Sequence, residues 1–439
     1  MTDRLRLITG LCTSFIMTAA AFGQMETPNF IEVDIQLDSG YVENSAGERA
    51  VIFSDVVAIP DMVWLRLLFD TAELGSAPPG GEPTVLRISS VRDGAAQHLN
   101  AAHLRQWRNT TACLNGQALI VEIIADPGAE PSRVAASRAM AQPVNPGGQD
   151  TICGNIDDRE LSIDPRVARL APRGCTTWMI DDANHCFLTA GHCDGNIDLV
   201  WFNMPLSDAN GNVQAPPPED QYAHDPVSVQ SNGGQGVGDD WAYFGCFANP
   251  ETGLTPFQAQ GDFFVLSKTP PAVDGQFIRI TGHGTVSGSV PREWNQVQKT
   301  HAGPYVAFFG TTVRYAADTT GGNSGSPVIN EETGEAIGIH THGGCNNTGA
   351  NHGTGSNHAG LRNALANPRG VCIPPFDRGD LNCDGEINAF DIEPFLLALF
   401  DPENYLKRFP DCDINLADVN ADGSINAFDI EPFLEVLSP

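Results

Sequence analysis

Gly321-Gly322-Asn323-Ser324-Gly325-Ser326-Pro327 is the stretch on which the reading of this chain turns. A serine hydroxyl is a weak nucleophile until a base takes its proton and a set of donors receives the oxyanion that forms. Glycines around such a serine let the backbone turn tightly, so that consecutive N–H groups face one point. A glycine-rich segment alone carries little information. Upstream, however, lie Leu188-Thr189-Ala190-Gly191-His192-Cys193 and Asp240-Trp241-Ala242-Tyr243-Phe244. They add an imidazole and a carboxylate to the hydroxyl, which are the three groups a base-activated serine needs.

His before Asp before Ser is the chain order of chymotrypsin-type triads. Over roughly residues 152–372 the chain resembles the trypsin-like (chymotrypsin-fold) serine peptidases. The resemblance implies two antiparallel β-barrels with the site between them and peptide-bond hydrolysis of protein substrates, with no cofactor for catalysis. It makes Ser324 the nucleophile, His192 the base and Asp240 the residue that orients the base. Asp240 begins the Asp-x-Ala pattern of the family, and Asp239 is the alternative. The oxyanion hole is expected at the N–H groups of Gly322 and Ser324. The rival reading is a peptidase fold that has lost activity and serves as an anchored binding protein.

Asn323 is a departure. Trypsin itself has Asp before the nucleophile, which pairs with a newly cut N-terminal amine; an uncharged Asn cannot. The run Thr319 to Val328, with Ile337-Gly338-Ile339-His340, is instead similar to the glutamyl endopeptidase branch. That likeness implies that Thr319 and His340 bind an acidic substrate side chain, with His342 and Gly343 along the same cleft wall. A histidine satisfied by core hydrogen bonds is the alternative for His340. Asp318, six residues before the nucleophile, would by itself argue for a basic substrate residue. His283, His301, His352 and His358 lack metal-like spacing and read as structural or surface residues.

The N-terminus carries Arg4 and Arg6, an apolar run from Leu7 to Phe22 and small residues at Ala21 and Gly23. This reads as a secretory signal over 1–23, cleaved before Gln24, and places the protein outside the cell, at the cell surface or in an extracellular complex. No later apolar run is long enough to span a bilayer. The 11 cysteines fit an exported chain. The family likeness implies a Cys175–Cys193 bridge. Cys186 and Cys246, on strands that neighbour each other in that fold, are expected to pair, as are Cys383 and Cys412. The connectivity of Cys113, Cys153, Cys345 and Cys372 is open. A net charge of −30 argues against nucleic acid or an anionic membrane as partner, since both need basic surfaces.

A chain of 439 residues exceeds one core, and a multidomain, mainly β protein is expected. Residues 24–125 alternate apolar and polar positions in short runs, as in Ala118-Leu119-Ile120-Val121-Glu122-Ile123-Ile124, and read as a β-sandwich-like region. Its role as pro-region, accessory or spacer is open. Residues 126–150, rich in Ala, Pro, Gly and Ser, read as a linker, followed by the peptidase over 151–372.

Residues 376–439 form a small α module in which Ile387 to Leu396 repeats as Ile425 to Leu434. Ca²⁺ takes oxygen ligands from positions 1, 3, 5, 7, 9 and 12 of a 12-residue loop, with Gly at 6. The first loop offers Asp380, Asn382, Asp384, the Glu386 carbonyl, Asn388 and Asp391. The second offers Asp418, Asn420, Asp422, the Ser424 carbonyl, Asn426 and Asp429. Two calcium sites are expected, and the repeat resembles a type I dockerin, which implies a cohesin-like scaffold as partner. Ala389-Phe390 and Ala427-Phe428 stand where dockerins often carry Ser-Thr, so the partner face is apolar. A calcium-stapled cap without a partner is the alternative. Pro394 and Pro432 are expected to interrupt or kink the helix after each loop.

Overall fold

The computed structural model describes residues 30–143, 150–286, 288, 290–345, 349–374, 376–410, 412–420 and 424–437. The expected signal peptide, the linker's residues 144–149 and the calcium ligand Asp422 lie outside them. Among the described residues the fold is mainly β.

Two antiparallel sheets open the chain. One runs β1 (Ile31–Asp38), β9 (Arg133–Pro143), β3 (Met62–Leu68), β7 (Leu114–Asn115), with β4 (Thr71–Glu73) also on β9. The other runs β2 (Ala50–Ala58), β8 (Ala118–Ala125), β5 (Val85–Ser90), β6 (Ala96–Leu99). The alternation in β8 is realised residue by residue, with Leu119, Val121, Ile123 and Ala125 buried and their neighbours part-exposed, as a period of two requires. The short helix α1 (Ala101–Gln106) starts under an Asn100 cap.

Part of the expected linker is instead a central strand. β9 is hydrogen-bonded to β1 on one side and to β3 and β4 on the other. Its alanines hide it from a hydrophobicity reading, because burial comes from flanking strands and not from large side chains. The first two sheets do not stand apart from the barrels. Leu65, Leu67, Leu86 and Val121 share one core with Leu199, Trp201 and Ala223 of the next sheet and with Val213 of the loop between two of its strands, and Trp64 meets Trp201 edge to face at 6.5 Å.

That next sheet is ordered β16 (Gln221–Ala223), β15 (Leu199–Trp201), β12 (Val167–Ala171), β13 (Thr176–Met179), β14 (Phe187–Thr189), β18 (Ala242–Phe244), β17 (Gln230–Ser231). Its ladder is open, and a single bridge between His224 and Cys246 draws its two sides together. The following sheet closes fully. β20 (Lys299–Phe309), β19 (Phe277–Gly282), β23 (Pro327–Asn330), β24 (Ala336–His342), β25 (Asn351–Gly355) and β21 (Thr312–Tyr315) form a ring through a β20–β21 pairing, with β11 (Glu160–Leu161) added outside β20. β10 (Asp150–Thr151) pairs with β22 (Thr319–Thr320). Helices α2 (Pro256–Gln260) and α3 (Ala359–Ala366) lie on the surface, α3 burying Leu361 and Ala364.

The C-terminal residues form α4 (Ile392–Phe400), α5 (Pro402–Arg408) and α6 (Ile430–Val436). Phe395 and Phe433, equivalent in the repeat, stack at 4.0 Å, so the two halves bury each other. Pro394 and Pro432 interrupt nothing: each is the third residue of its helix, in the first turn, where the missing N–H has no intrahelical acceptor.

Four disulfides join the described cysteines: Cys153–Cys345, Cys175–Cys193, Cys186–Cys372 and Cys383–Cys412. The expected Cys186–Cys246 pair is not formed. Cys372, in a turn after α3, is bonded to Cys186 instead, and Cys246 stays a buried thiol, as does Cys113. Burial pushes the Cys113 thiol up to about 12. In a chain expressed from Gln24, a thiol reagent should therefore find nothing in the native protein and two thiols, Cys113 and Cys246, after denaturation. A non-reduced digest containing a Cys186–Cys246 peptide pair would overturn this connectivity.

Candidate active site

Adjacent strands put the first two groups side by side. β14 pairs with β18 so that Thr189 faces Ala242. Three residues beyond Thr189 stands His192, in the 3-10 turn Gly191–Asn196 that Cys175–Cys193 ties down. Two residues before Ala242 stands Asp240. The Asp240 carboxylate is fully buried and accepts from His192 N at 2.9 Å and Nδ1 at 2.6 Å. The Asp240 N–H donates to Thr354 Oγ1 at 3.0 Å. With its Nδ1 proton committed to the carboxylate, the imidazole turns Nε2 as an acceptor toward Ser324 Oγ, 2.8 Å away. Asp239 points elsewhere, to His358 Nε2 at 2.8 Å and Asn232 Nδ2 at 2.7 Å.

Ser324 comes from the other barrel, in the turn between β22 and β23, and β13 holds that turn. Thr176 N donates to Ser324 O at 2.7 Å, Thr176 Oγ1 to Gly322 O at 2.9 Å and Trp178 Nε1 to Gly325 O at 2.9 Å. Gly325 has φ +91°, and a Cβ there would stand 2.0 Å from Thr176 O. Gly322, at φ +97°, would press a Cβ to 2.6 Å from His283 O. Glycine is required at both positions for the loop to approach this closely. Among the described residues no acceptor takes up the N–H of Gly322 or of Ser324, so both are available to a developing oxyanion.

Thr319 on β22 and His340 on β24 are both fully buried. Thr319 Oγ1 accepts from Asn351 Nδ2 at 2.8 Å. His340 exchanges backbone bonds with the nucleophile loop, Gly325 N to His340 O at 2.7 Å and His340 N to Ser326 O at 2.8 Å. Its Nδ1 lies 2.5 Å from Tyr315 Oη. Burial, then the imidazoles of His342, His192 and His352, hold His340 well below the usual histidine range. His342 stands 3.9 Å from the Asp240 carboxylate.

Asp318 is buried too, and Cys153 N donates to its Oδ1 at 2.7 Å. It belongs to a cluster with Asp158 and His301. Asp318 N donates to His301 Nδ1 at 2.7 Å, which places the neutral ring's proton on Nε2, facing Asp158 at 3.2 Å. Nε2 therefore has no lone pair for a metal ion, and the cluster does not suit one.

In the C-terminal loops the carboxylates gather backbone donors. Asp380 accepts from Asp384 N and Gly385 N at 3.2 and 2.9 Å; Asp391 accepts from Leu381 N, Asn382 N and Asn388 N at 2.7, 3.0 and 2.9 Å. Asn382 and Asp384 hydrogen-bond each other at 3.0 Å. The carboxylates of this loop are thus held by backbone donors, and among the described residues those of Asp380, Asp384 and Asp391 do not form a group with all ligand atoms within 4.8 Å of one another. Burial, followed by the charges of Asp391 and Asp384, raises the Asp380 carboxyl. In the second loop Asp429 accepts from Asn420 N and Asn426 N at 3.1 and 2.9 Å, Asp418 pairs with Arg378 at 3.3 Å and Ser424 meets Lys268.

Thr176, Trp178, Tyr315, Asn351 and Thr354 complete the site and carry no local sequence signal, since each acts from a distant strand.

Residues 175–339 match the family model of the trypsin-like peptidase domain. No curated protein sequence matches the chain. Similar solved structures include a Glu endopeptidase in complex with MPD, 19% identical, covering 51% of this chain and 97% of that one at a TM-score of 0.36. A thermostable serine protease from an extremophilic microorganism is 16% identical, covering 46% and 95% at 0.35. Neuropsin, a serine protease expressed in the limbic system of mouse brain, is 18% identical, covering 46% and 95% at 0.34. The protein is a serine endopeptidase, a hydrolase.

Replacing Ser324 by Ala should leave the circular dichroism spectrum unchanged and cost roughly 10⁶-fold in kcat. Asp240→Asn keeps the shape but frees the wrong tautomer and should cost about 10⁴-fold. Wild-type turnover in Ser324→Ala would show that another group attacks the substrate.

Proposed function

We propose that this serine endopeptidase is secreted, cuts after acidic residues and is tethered through a calcium-stapled, dockerin-like C-terminal module. The catalytic part rests on one observation, the unbroken line Asp240–His192–Ser324 at 2.6 and 2.8 Å. Ser324 Oγ attacks the scissile carbonyl as His192 Nε2 takes its proton. The oxyanion turns to the N–H groups of Gly322 and Ser324, which lie in a rigid loop and need no reorganisation. His192 then passes the proton to the leaving amine, and water releases the acyl group by the same route. Asp240 keeps Nδ1 protonated throughout and stabilises the imidazolium. Covalent labelling of Ser324 by a fluorophosphonate, absent from Ser324→Ala, separates this reading from an inactive binding protein.

The acidic preference is supported by where Asp318 and His340 point. The Asp318 carboxylate is 1% exposed, with Oδ1 taken by Cys153 N, Oδ2 unpartnered and Asp158 and His301 beside it, which we read as turned away from a basic substrate side chain. His340 is held neutral by burial. Tyr315 Oη lies 2.5 Å from Nδ1; with the phenol as donor there, the His340 proton stands on Nε2. A neutral N–H donates to a carboxylate and repels an ammonium or guanidinium. Thr319, on β22, adds a hydroxyl. A peptide library varied at the residue before the cut should show cleavage after Glu and, more weakly, Asp. Preference for Arg or Lys would make Asp318 the specificity residue.

Six oxygens would hold Ca²⁺ in the first loop, from Asp380, Asn382, Asp384, the Glu386 carbonyl, Asn388 and Asp391, a hard donor set that suits the ion. The ion offsets carboxylates that otherwise repel. Asp418, Asn420, Asp422, Ser424, Asn426 and Asp429 would serve the second. The partner face is read at Phe390 and Phe428, each 77% exposed, matched in the repeat, and suited to an apolar groove on a cohesin-like scaffold. Chelation should unfold the isolated module while leaving peptidase activity in place. A far-ultraviolet spectrum of the module unmoved by chelator would remove calcium from this account.

A further inference from the structure

Residues 150–161 form a strap between the N-terminal sheets and the barrels, and it is fastened along its length to the closed barrel. β10 pairs with β22 at Thr319–Thr320. Cys153 is bonded to Cys345, and its N–H to Asp318. β11 pairs with β20, Glu160 opposite Thr300. Between these anchors Arg159 turns inward, 4% exposed. Its Nη1 donates to Thr320 Oγ1 at 2.7 Å and Asn323 Oδ1 at 3.3 Å, and its Nη2 to Thr285 O at 2.7 Å. Asp157 balances the charge at 2.6 Å, with both side chains almost wholly buried.

The guanidinium therefore sits on the residue before the nucleophile. Asn323 Oδ1 also accepts from Thr320 N at 3.0 Å, and Asn323 N donates to Thr320 O at 3.0 Å. Arg159, Thr320 and Asn323 close one ring of hydrogen bonds around the turn whose N–H groups point at the oxyanion position. Gly284 makes room for it: a Cβ there would stand 2.1 Å from Asn323 Oδ1, 2.4 Å from Thr320 Oγ1 and 2.7 Å from Arg159 Nη1.

We propose that Arg159 is a positioning residue that locks the nucleophile loop into its working shape from within an uncut chain. Asn323 carries no charge to pair with a freed N-terminal amine, its Oδ1 is already taken by Arg159 and Thr320 N, and the planar fork of Arg159 supplies parallel donors that an ammonium cannot. Activity then requires no cleavage ahead of residue 150, and the N-terminal sheets stay attached to the working enzyme. The proposal rests on Ser324 being the nucleophile.

The test uses the full chain from Gln24 and its best peptide substrate. In Arg159→Ala, kcat should fall about 10²-fold, the scale of one lost oxyanion donor, with KM little changed. Guanidinium chloride at millimolar concentration should restore part of the loss, and sodium chloride or urea should not. Fluorophosphonate should label the parent while its N-terminal sheets are still covalently attached, as seen by the mass of the labelled species. Should Arg159→Ala fail to fold, Gly284→Ala, outside the left-handed region and aimed into the ring, should give the same loss in kcat alone. The clamp is overturned by a folded Arg159→Ala or Gly284→Ala with parental kcat, by a loss that guanidinium leaves untouched, or by labelling confined to chains cut ahead of Arg159. A parent that does not label at all would instead refute the Ser324 reading.

Discussion

Everything catalytic in this molecule depends on the grip of β13 on the nucleophile turn. His192 and Asp240 belong to one barrel and Ser324 to the other, so the 2.8 Å contact between Nε2 and Oγ is an interdomain distance. Thr176 and Trp178 hold it with bonds to the carbonyls of Gly322, Ser324 and Gly325. Displacing a reacting group by about 1 Å costs about 10²-fold in rate. Carbonyls used up on the β13 side leave the N–H groups of Gly322 and Ser324 without an acceptor among the described residues, so the bonds that join the barrels also leave free the donors proposed for the oxyanion.

The N-terminal sheets reinforce that frame from the opposite flank. Their core is continuous with the first barrel, and Arg66, 1% exposed, reaches Asp198, six residues after His192. Arg108 pairs with the same carboxylate at 2.5 Å. Asp198 is held below the usual carboxylate range although burial pulls it up, because both guanidiniums and His224 act against that pull. The segment carrying the catalytic imidazole is therefore anchored by Cys175–Cys193 on one side and by the N-terminal sheets on the other, and these sheets behave structurally as part of the enzyme.

Charge is managed differently in the core and in the tail. Inside the barrels Asp240 is matched to His192, Asp157 to Arg159 and Asp198 to Arg66, while the buried Asp225 is held by the N–H groups of Val227 and Val371. Residues 376–439 instead hold 15 acidic and 3 basic side chains, a net of −12 out of −30 for the chain. Asp380 and Asp391 each accept backbone N–H groups, and burial, then the Asp391 charge, raises the Asp380 carboxyl, a repulsion that the proposed calcium ion would offset.

Local sequence reached as far as local chemistry reaches. Ser324 among its glycines, His192 and Asp240 were legible because turn geometry and side-chain type are properties of a few adjacent residues, and the repeat was legible because it is written twice. β9 was not, since alanines bury only when strands lie on both sides of them. Nor was Cys186–Cys372, because which thiol lies against Cys186 depends on how the chain after α3 folds back. Arg159 lies 165 residues from Ser324 along the chain, and nothing near it announces a role. The chain by itself determined the reacting groups, for those are functional groups and their order. Only the tertiary structure decided which way Asp318 turns, what holds His340 neutral and what clamps the nucleophile loop, because burial and hydrogen-bond distance exist only between segments that folding has brought together.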